Sequence, residues 1–283
     1  MNKLEELQSL LARLPGAVVA YSGGVDSTFL AFVAHRILGD RSLAVTAASP
    51  TYPARCLEEA RVLALQLGLR HRVIQTKECA EEDFLANPPD RCYHCKRLLF
   101  AELGRLAAEE GHRVVLDGSN RDDLGDHRPG RRAAREAGVR SPLQEIGLGK
   151  EEIRFFSRAL GLPTWDKPAY ACLASRIPYG CRITEEALAR IDRAEEFLSA
   201  TGFREIRVRD HYPVARVEIG PREMEKAWSR RAEIAARLHE IGFPYVALDL
   251  DGYRSGSLNR ILPDGTAEKE GDAPPGSGER SDG

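Results

Sequence analysis

The sequence has almost no excess of charge of either sign: 41 Lys and Arg against 43 Asp and Glu leave a formal net charge of -2 over 283 residues. A nucleic-acid binder usually carries a basic face, so only local basic patches are open to this chain. With 7% aromatic residues it also shows no aromatic-rich RNA module. Long hydrophobic runs are missing as well. Charge interrupts each apolar stretch well before the roughly 18 residues that a bilayer span needs, so no membrane association is expected. The first residues have no basic segment followed by an apolar run; they read as an amphipathic helix carrying Glu5 and Glu6, and no export signal is expected. The 6 cysteines do not resemble the dense framework of a small secreted domain. A cytoplasmic location would keep them as thiols, available for metal or sulfur chemistry. No internal repeat is visible.

What the chain does have is alternation. Short β-rich runs at Ala17–Tyr21, Leu43–Ala47, His71–Gln75 and Arg113–Asp117 are separated by helical patterns, among them Phe29, Leu30, Val33 and Ile37 on one face and a long amphipathic segment from Cys92 to Glu110. Repeated βα units predict a doubly wound α/β fold, a mainly parallel sheet with helices on both faces and ligands at the carboxyl ends of its strands. The alternation stops at 161–168. Beyond it, a helix at Glu185–Ala200, strands at Glu205–Arg209 and Val214–Ile219, a helix after Pro221 and a strand at Tyr245–Leu250 read as a smaller C-terminal α+β domain. The expected organisation is therefore a domain over 1–165, a second over 166–262 and a tail over 263–283. The tail is rich in Gly, Pro, Ser, Glu and Asp and too poor in apolar residues to offset the entropy of ordering.

Chemistry first becomes legible at Ser22-Gly23-Gly24-Val25-Asp26-Ser27, between an expected strand and an expected helix. Two glycines clear the approach for a phosphate, the helix start offers free amides and a favourable dipole, and Ser22 and Ser27 add hydroxyl donors. No lysine follows the glycines, so this is not the loop of ordinary nucleotide hydrolases. Asp26 is unsuited to bare phosphate but suited to a magnesium ion that neutralises pyrophosphate. The plain alternative is a strand-to-helix turn capped by Asp26. The six-residue segment resembles the signature of the PP-loop ATP pyrophosphatases, adenine nucleotide α-hydrolase-like proteins that include NAD, GMP and asparagine synthetases and tRNA thiolation enzymes. That resemblance implies cleavage of ATP between its α and β phosphates, with AMP transferred to an oxygen of the substrate.

A narrower resemblance spans almost the whole chain to about residue 262. Leu116-Asp117-Gly118, Asp126-His127-Arg128-Pro129-Gly130, Ser175-Arg176-Ile177-Pro178-Tyr179-Gly180, Arg207-Val208-Arg209 and Leu248 to Gly256 are similar to the LarE family. The family implies an ATP-dependent sulfur transferase that acts on a pyridinium biscarboxylate mononucleotide and makes its dithio form, the precursor of a nickel-pincer cofactor. ATP and Mg2+ would be held by Ser22, Gly23, Gly24, Asp26, Ser27 and Gly118. The substrate would meet Ser175, Arg176, Arg207 and Arg209; the last two lie two apart on an expected strand, hence on one face, and their forks suit phosphate. Lys96 is a catalytic candidate for the α-phosphate or substrate, its alternative being a solvated helix lysine. A sulfide or persulfide donor, nickel-cofactor assembly proteins and a second copy of the chain in a homo-oligomer are the expected partners.

For the sulfur, Cys92-Tyr93-His94-Cys95 is a C-x-x-C at a helix start, while Cys172 and Cys181 flank the Ser-Arg-Ile-Pro-Tyr-Gly segment and Cys56 and Cys79 stand apart. Taken alone, C-x-x-C is a redox pair, half of a zinc site or a coincidence. The family has one branch that gives up a cysteine sulfur at each turnover, at a position aligned here with Ala171. Its other branch implies three cysteines, matched by Cys92, Cys95 and Cys172, around a [4Fe-4S] cluster whose fourth iron takes an extra sulfide. Closure by Cys181 and a sacrificial, catalytic Cys172 stay open as alternatives. So do other functions: a tRNA thiolase shares the loop and the cysteine pattern but needs an RNA surface, and a nucleotide-sensing module would not need the thiols. Asp122, Asp123 and Asp126 serve either magnesium or helix capping; Glu195 and Glu218 face either a ligand or solvent; His94 and His127 lack ligand spacing.

Overall fold

A computed structural model describes residues 2–112, 114–125, 129–168, 171–254 and 258. The expected tail over 263–283, Arg113 and the Asp126-His127-Arg128 stretch lie outside the described residues. The first sheet contains β1 (Ala17–Ala20), β2 (Ser42–Ala48), β3 (His71–Gln75) and β4 (Val115–Leu116). Its order is β3-β2-β1-β4, and every pairing is parallel. Strand alternation makes it two-faced. Ala17, Val19 and Ala44 enter one core with α1 (Lys3–Ala12), α2 (Val25–Leu38), α7 (Pro142–Glu145) and α8 (Lys150–Ala159). Val18, Leu43 and Val45 enter another with α5 (Arg91–Glu109) and α6 (Gly130–Glu136). Near-continuous burial along β1 and β2 is what helices on both sides of a parallel sheet demand.

Strand order fixes where a ligand can sit. From β1 the chain runs outward to β2 and β3, then crosses to β4 on the other flank of β1, so the crevice opens beyond the carboxyl ends of β1 and β4. Between β2 and β3 runs α3 (Ala54–Gln66), with Pro53 at its N-cap; a short 3-10 turn at Glu78–Ala80 and α4 (Glu82–Leu85) precede α5.

The second sheet has the order β5-β6-β7, built from β5 (Ile206–His211), β6 (Val214–Ile219) and β7 (Tyr245–Leu248). The β5–β6 hairpin is antiparallel, while β7 returns parallel to β6 after α10 (Met224–Ser229) and α11 (Arg231–Ile241). Thus the segment after Pro221 is two helices meeting at Arg230, where the sequence pattern suggests one. With α9 (Glu185–Ala200), α11 buries Leu238 and Ile241 against Val208, Val217 and Ile219. A separate apolar cluster of Phe84, Leu173, Ala174, Ile177, Ile183, Leu188 and Ile191 joins α4 to the 173–176 turn and to α9. No described helix is long and apolar enough to cross a membrane.

Candidate active site

The Ser22–Ser27 loop leaves β1 and turns directly into α2. Gly23 adopts φ +65°, and a Cβ there would stand 3.0 Å from the Ala60 Cβ, so conformation and space both require glycine. Gly118, just past β4, packs so closely that a Cβ would be 3.0 Å from the Ser27 amide nitrogen. The loop is tied internally by a 3.1 Å contact between the Ser22 and Ser27 hydroxyls and by the Ser27 Oγ accepting from the Ser22 N–H at 3.2 Å.

Asp26 is not a helix cap. The N-cap is Gly24, and the Asp26 carboxylate instead receives Lys150 Nζ at Oδ2, 2.5 Å away, while its Oδ1 is buried without a hydrogen-bond partner. Lys150 opens α8, and its backbone N–H donates to Asp122 Oδ2 at 2.7 Å. That bond, ahead of the nearby Arg121 charge, holds the Asp122 carboxyl below the usual carboxylate range. Asp123 accepts from the Asn120 amide at 2.9 Å, so both carboxylates order the loop after β4. A second lysine, Lys167, donates to the Gly23 carbonyl at 3.1 Å and pairs with Glu59.

Residues 51–52 connect this loop to the thiols. The Tyr52 hydroxyl donates to the Ser22 carbonyl at 2.5 Å, and the Thr51 carbonyl accepts from the Leu173 N–H at 2.8 Å, one residue from Cys172. Buried Glu78 anchors the stretch by accepting from the hydroxyls of Ser49 at 2.5 Å and Thr51 at 2.9 Å. Cys95, Cys172 and also Cys79 pack against the cluster around Phe84 and Leu173, whereas Cys92 and Cys181 are exposed. Burial pushes the Cys95 thiol well up, and the charges of Glu78, Cys172 and Cys92 add to it. Cys79 is pushed up to about 11, again by burial first and then by Glu78, Glu185 and Cys172. Among the described residues no three His, Cys, Asp or Glu side chains are grouped to hold a metal ion.

The arginines divide by environment. Arg176 is fully buried, forks onto Glu195 at 2.9 and 2.8 Å, and donates to the Ala171 and Cys172 carbonyls at 2.6 and 2.8 Å. Ser175 also points inward, donating its hydroxyl to the Cys172 carbonyl at 2.8 Å. Arg209 forks onto Glu218, 2.9 Å at each contact, and donates to the Ser175 carbonyl at 2.7 Å. Glu195 and Glu218 are thus the buried counter-charges of two arginines, not solvated carboxylates. Arg207 differs: it lies against the Tyr253 ring, 5.0 Å to the centroid, and lines a cleft with Arg154, Arg204 and Pro168. Burial, followed by the Arg176 charge, lowers its pKa. Lys96 is half-buried beneath Gly130 with its Nζ 5.4 Å from the Phe100 ring centroid.

The NAD synthase family model matches residues 5–86, which contain the loop. An uncharacterised protein of Synechocystis sp. is 46% identical over 263 residues, 92% of this chain and 98% of that protein. The pyridinium-3,5-bisthiocarboxylic acid mononucleotide synthase of Lactiplantibacillus plantarum is 36% identical over 262 residues, 92% of this chain and 95% of the synthase. This chain belongs to the LarE family. A more distant match, a glutamine-hydrolysing GMP synthase chain of Methanococcus maripaludis, is 30% identical over 157 residues, 52% of this chain and 50% of that one. Within the PP-loop superfamily a LarE protein is an ATP-dependent enzyme, and the residues that match the family model include the Ser22–Ser27 turn after β1.

Several residues of the candidate site are not evident from sequence. Lys150, Lys167 and Tyr52 reach the loop from remote segments and carry no local signature. Glu78 and Cys79 sit in a one-turn 3-10 element too short to show periodicity, so the sequence leaves Cys79 standing apart although it shares the apolar wall of Cys95 and Cys172.

Proposed function

We propose that the chain adenylylates the carboxylates of pyridinium-3,5-biscarboxylic acid mononucleotide and converts them to thiocarboxylates, supplying nickel-pincer cofactor assembly in the cytoplasm as a homo-oligomer. A carboxylate oxygen attacks the α-phosphorus of ATP and pyrophosphate leaves. A sulfur nucleophile then attacks the acyl carbon, and AMP leaves with the electron pair of the broken C–O bond. Residues 1–165 serve the first step, and residues 166–262, together with Cys92 and Cys95 of the first segment, the second. The observation that carries this reading is the Thr51–Tyr52 stretch, which holds the nucleotide loop through Ser22 and the Cys172 segment through Leu173. Activation and sulfur delivery need such proximity, because the mixed anhydride must be consumed before water reaches it.

The unpartnered Oδ1 of Asp26 suits a magnesium ion, which takes carboxylate oxygen readily. Cys95 and Cys172 pack against one apolar cluster and Cys92 lies one helical turn before Cys95, and as soft donors the three would hold a [4Fe-4S] cluster. When bound, that cluster would supply a sulfide at an iron without a protein ligand. Meanwhile the chain's own residues do the positioning. Arg176 and Ser175 fix the Cys172 carbonyl, Arg207 faces the cleft where the mononucleotide phosphate fits, and the Ser22 and Ser27 hydroxyls with the α2 amides face the nucleotide phosphates.

The test is pyrophosphate release with ATP, magnesium and the biscarboxylate mononucleotide, alongside mass spectrometry of the product. Wild type should release one pyrophosphate per thiocarboxylate formed, and Asp26→Ala should lose about 100-fold or more, the scale of losing one electrostatic contact to the reacting group. Pyrophosphate release that ignores the mononucleotide, or is untouched in Asp26→Ala, would remove the proposal.

A further inference from the structure

The nucleotide loop contains no lysine, and its one charged side chain, Asp26, is an anion facing the place where a polyanion must bind. Yet the fold brings an ammonium to it. Lys150 Nζ reaches Asp26 Oδ2 from 124 positions away in sequence. The pair is only partly covered, with 31% of the Lys150 side chain and 22% of the Asp26 side chain exposed, so the ammonium stays within reach of a ligand.

Two details show that the placement is built. The Lys150 backbone is fixed at the first residue of α8 by the Asp122 carboxylate, while the preceding Gly149 N–H donates to Glu152 Oε2 at 3.0 Å. Glu152 is held in turn by Lys3. The helix start that carries Lys150 is therefore clamped by two carboxylates, and its side chain is aimed along the loop. The second detail is Asp26 itself: one oxygen takes Lys150 and the other is buried with no partner, a costly state for a carboxylate unless a cation completes it.

We infer that Lys150 is the loop's missing phosphate lysine: a binding and catalytic residue that meets the pyrophosphate half of ATP, with Asp26 holding it in place beforehand. The inference rests on the adenylylation reading above and adds a named group to it. An ammonium has three donors, and among the described hydrogen bonds Lys150 Nζ uses one, on Asp26. The remaining donors can take phosphate oxygens while the four-carbon stem adjusts its reach. As pyrophosphate leaves, charge builds on the oxygen that bridged the α and β phosphorus atoms. A lysine at the loop stabilises that charge in the transition state more than in bound ATP. Asp122 is a positioning residue, acting through the Lys150 amide.

The experiment compares wild type, Lys150→Gln and Lys150→Arg as full-length chains, using calorimetry with inorganic pyrophosphate and with AMP, each with magnesium. Lys150→Gln should weaken pyrophosphate binding about 10-fold or more, leave AMP binding within about 2-fold, and lower kcat for pyrophosphate release. Lys150→Arg should restore most pyrophosphate affinity, since charge is kept. Unchanged pyrophosphate affinity in Lys150→Gln overturns the inference, as does an equal loss for AMP, which would mark a structural role in shaping the loop. The adenylylation reading is tested separately by mononucleotide-dependent pyrophosphate release in wild type. Release there with no Lys150 effect rejects only the lysine; no release and no pyrophosphate binding reject both.

Discussion

Arg207 and Arg209 are neighbours on β5, two residues apart and alike in the sequence, but they are committed differently. Arg209 gives its guanidinium to Glu218 and the Ser175 carbonyl, with 6% of its side chain exposed and 1% of that of Glu218. Arg207 faces the cleft beside Tyr253. Removing one member of a buried ion pair is costly because the other charge stays behind, though Arg216 also reaches Glu218 at 3.1 Å and tempers the loss. Arg209→Ala is therefore expected to lose about 3 kcal/mol in urea denaturation. Arg207→Ala gives up its stacking on Tyr253 and its bond to the Ile206 carbonyl at 2.6 Å, but should weaken mononucleotide binding at least about 10-fold with ATP binding unchanged. Equal binding defects with equal stability losses would contradict this division. The sequence reveals the two arginines and their shared face. It cannot reveal that Arg209 forks onto Glu218, because Glu218 becomes a partner only through the antiparallel register of β5 and β6.

Regular elements are readable in proportion to their periodicity. His71–Gln75, Glu185–Ala200 and Val214–Ile219 appear with the bounds expected from sequence, since each repeats its apolar pattern over a full strand or several helical turns. Of the strand expected at Arg113–Asp117, the described residues form a strand over Val115–Leu116, flanked by a bond from the Val18 N–H to the Val114 carbonyl and one from the Asp117 N–H to the Arg140 carbonyl, before the chain turns at Gly118. Least visible are the one-turn elements. The Glu78–Ala80 turn has no periodicity, yet Glu78 fixes Ser49 and Thr51 and thereby the stretch that joins the nucleotide loop to Cys172. Glu78→Ala should cost about 1–3 kcal/mol, the penalty for leaving buried donors without an acceptor. Hydrogen exchange should then show faster opening of the Leu173 amide, which donates to Thr51. Unaltered protection there would mean that Glu78 does not hold the connection.

At the scale of the whole molecule, the choice between a recycled and a consumed sulfur is a matter of stoichiometry. A chain whose thiols hold a cluster acts repeatedly, while a chain that surrenders a side-chain sulfur stops after about one equivalent. Reconstituted anaerobically with iron and sulfide and given ATP and magnesium, the protein should form several thiocarboxylates per chain. Cys92→Ala, Cys95→Ala and Cys172→Ala should each abolish this, and Cys181→Ala should keep most of it. One product per chain with Cys172 converted to dehydroalanine would establish the consumed route. In the sequence, spacing shows only Cys92-x-x-Cys95; the LarE resemblance adds Cys172, with Cys181 as an alternative fourth ligand. Folding groups them differently, since the apolar wall around Phe84 and Leu173 takes in Cys79 with Cys95 and Cys172 and leaves both Cys92 and Cys181 exposed.

The pairing of Asp26 with Lys150 also bears on how the protein is made. Translation delivers the chain from its amino end, and the glycine turn with most of the parallel sheet emerges long before residue 150. The ammonium that faces Asp26 thus arrives late, after a closure of 124 positions whose entropic cost grows only slowly with length. A nascent or truncated chain that ends before residue 150 has the Ser22–Ser27 signature without the ammonium that pairs with Asp26, so on the inference drawn above competence to use ATP is not acquired until about half of the 283 residues have been made.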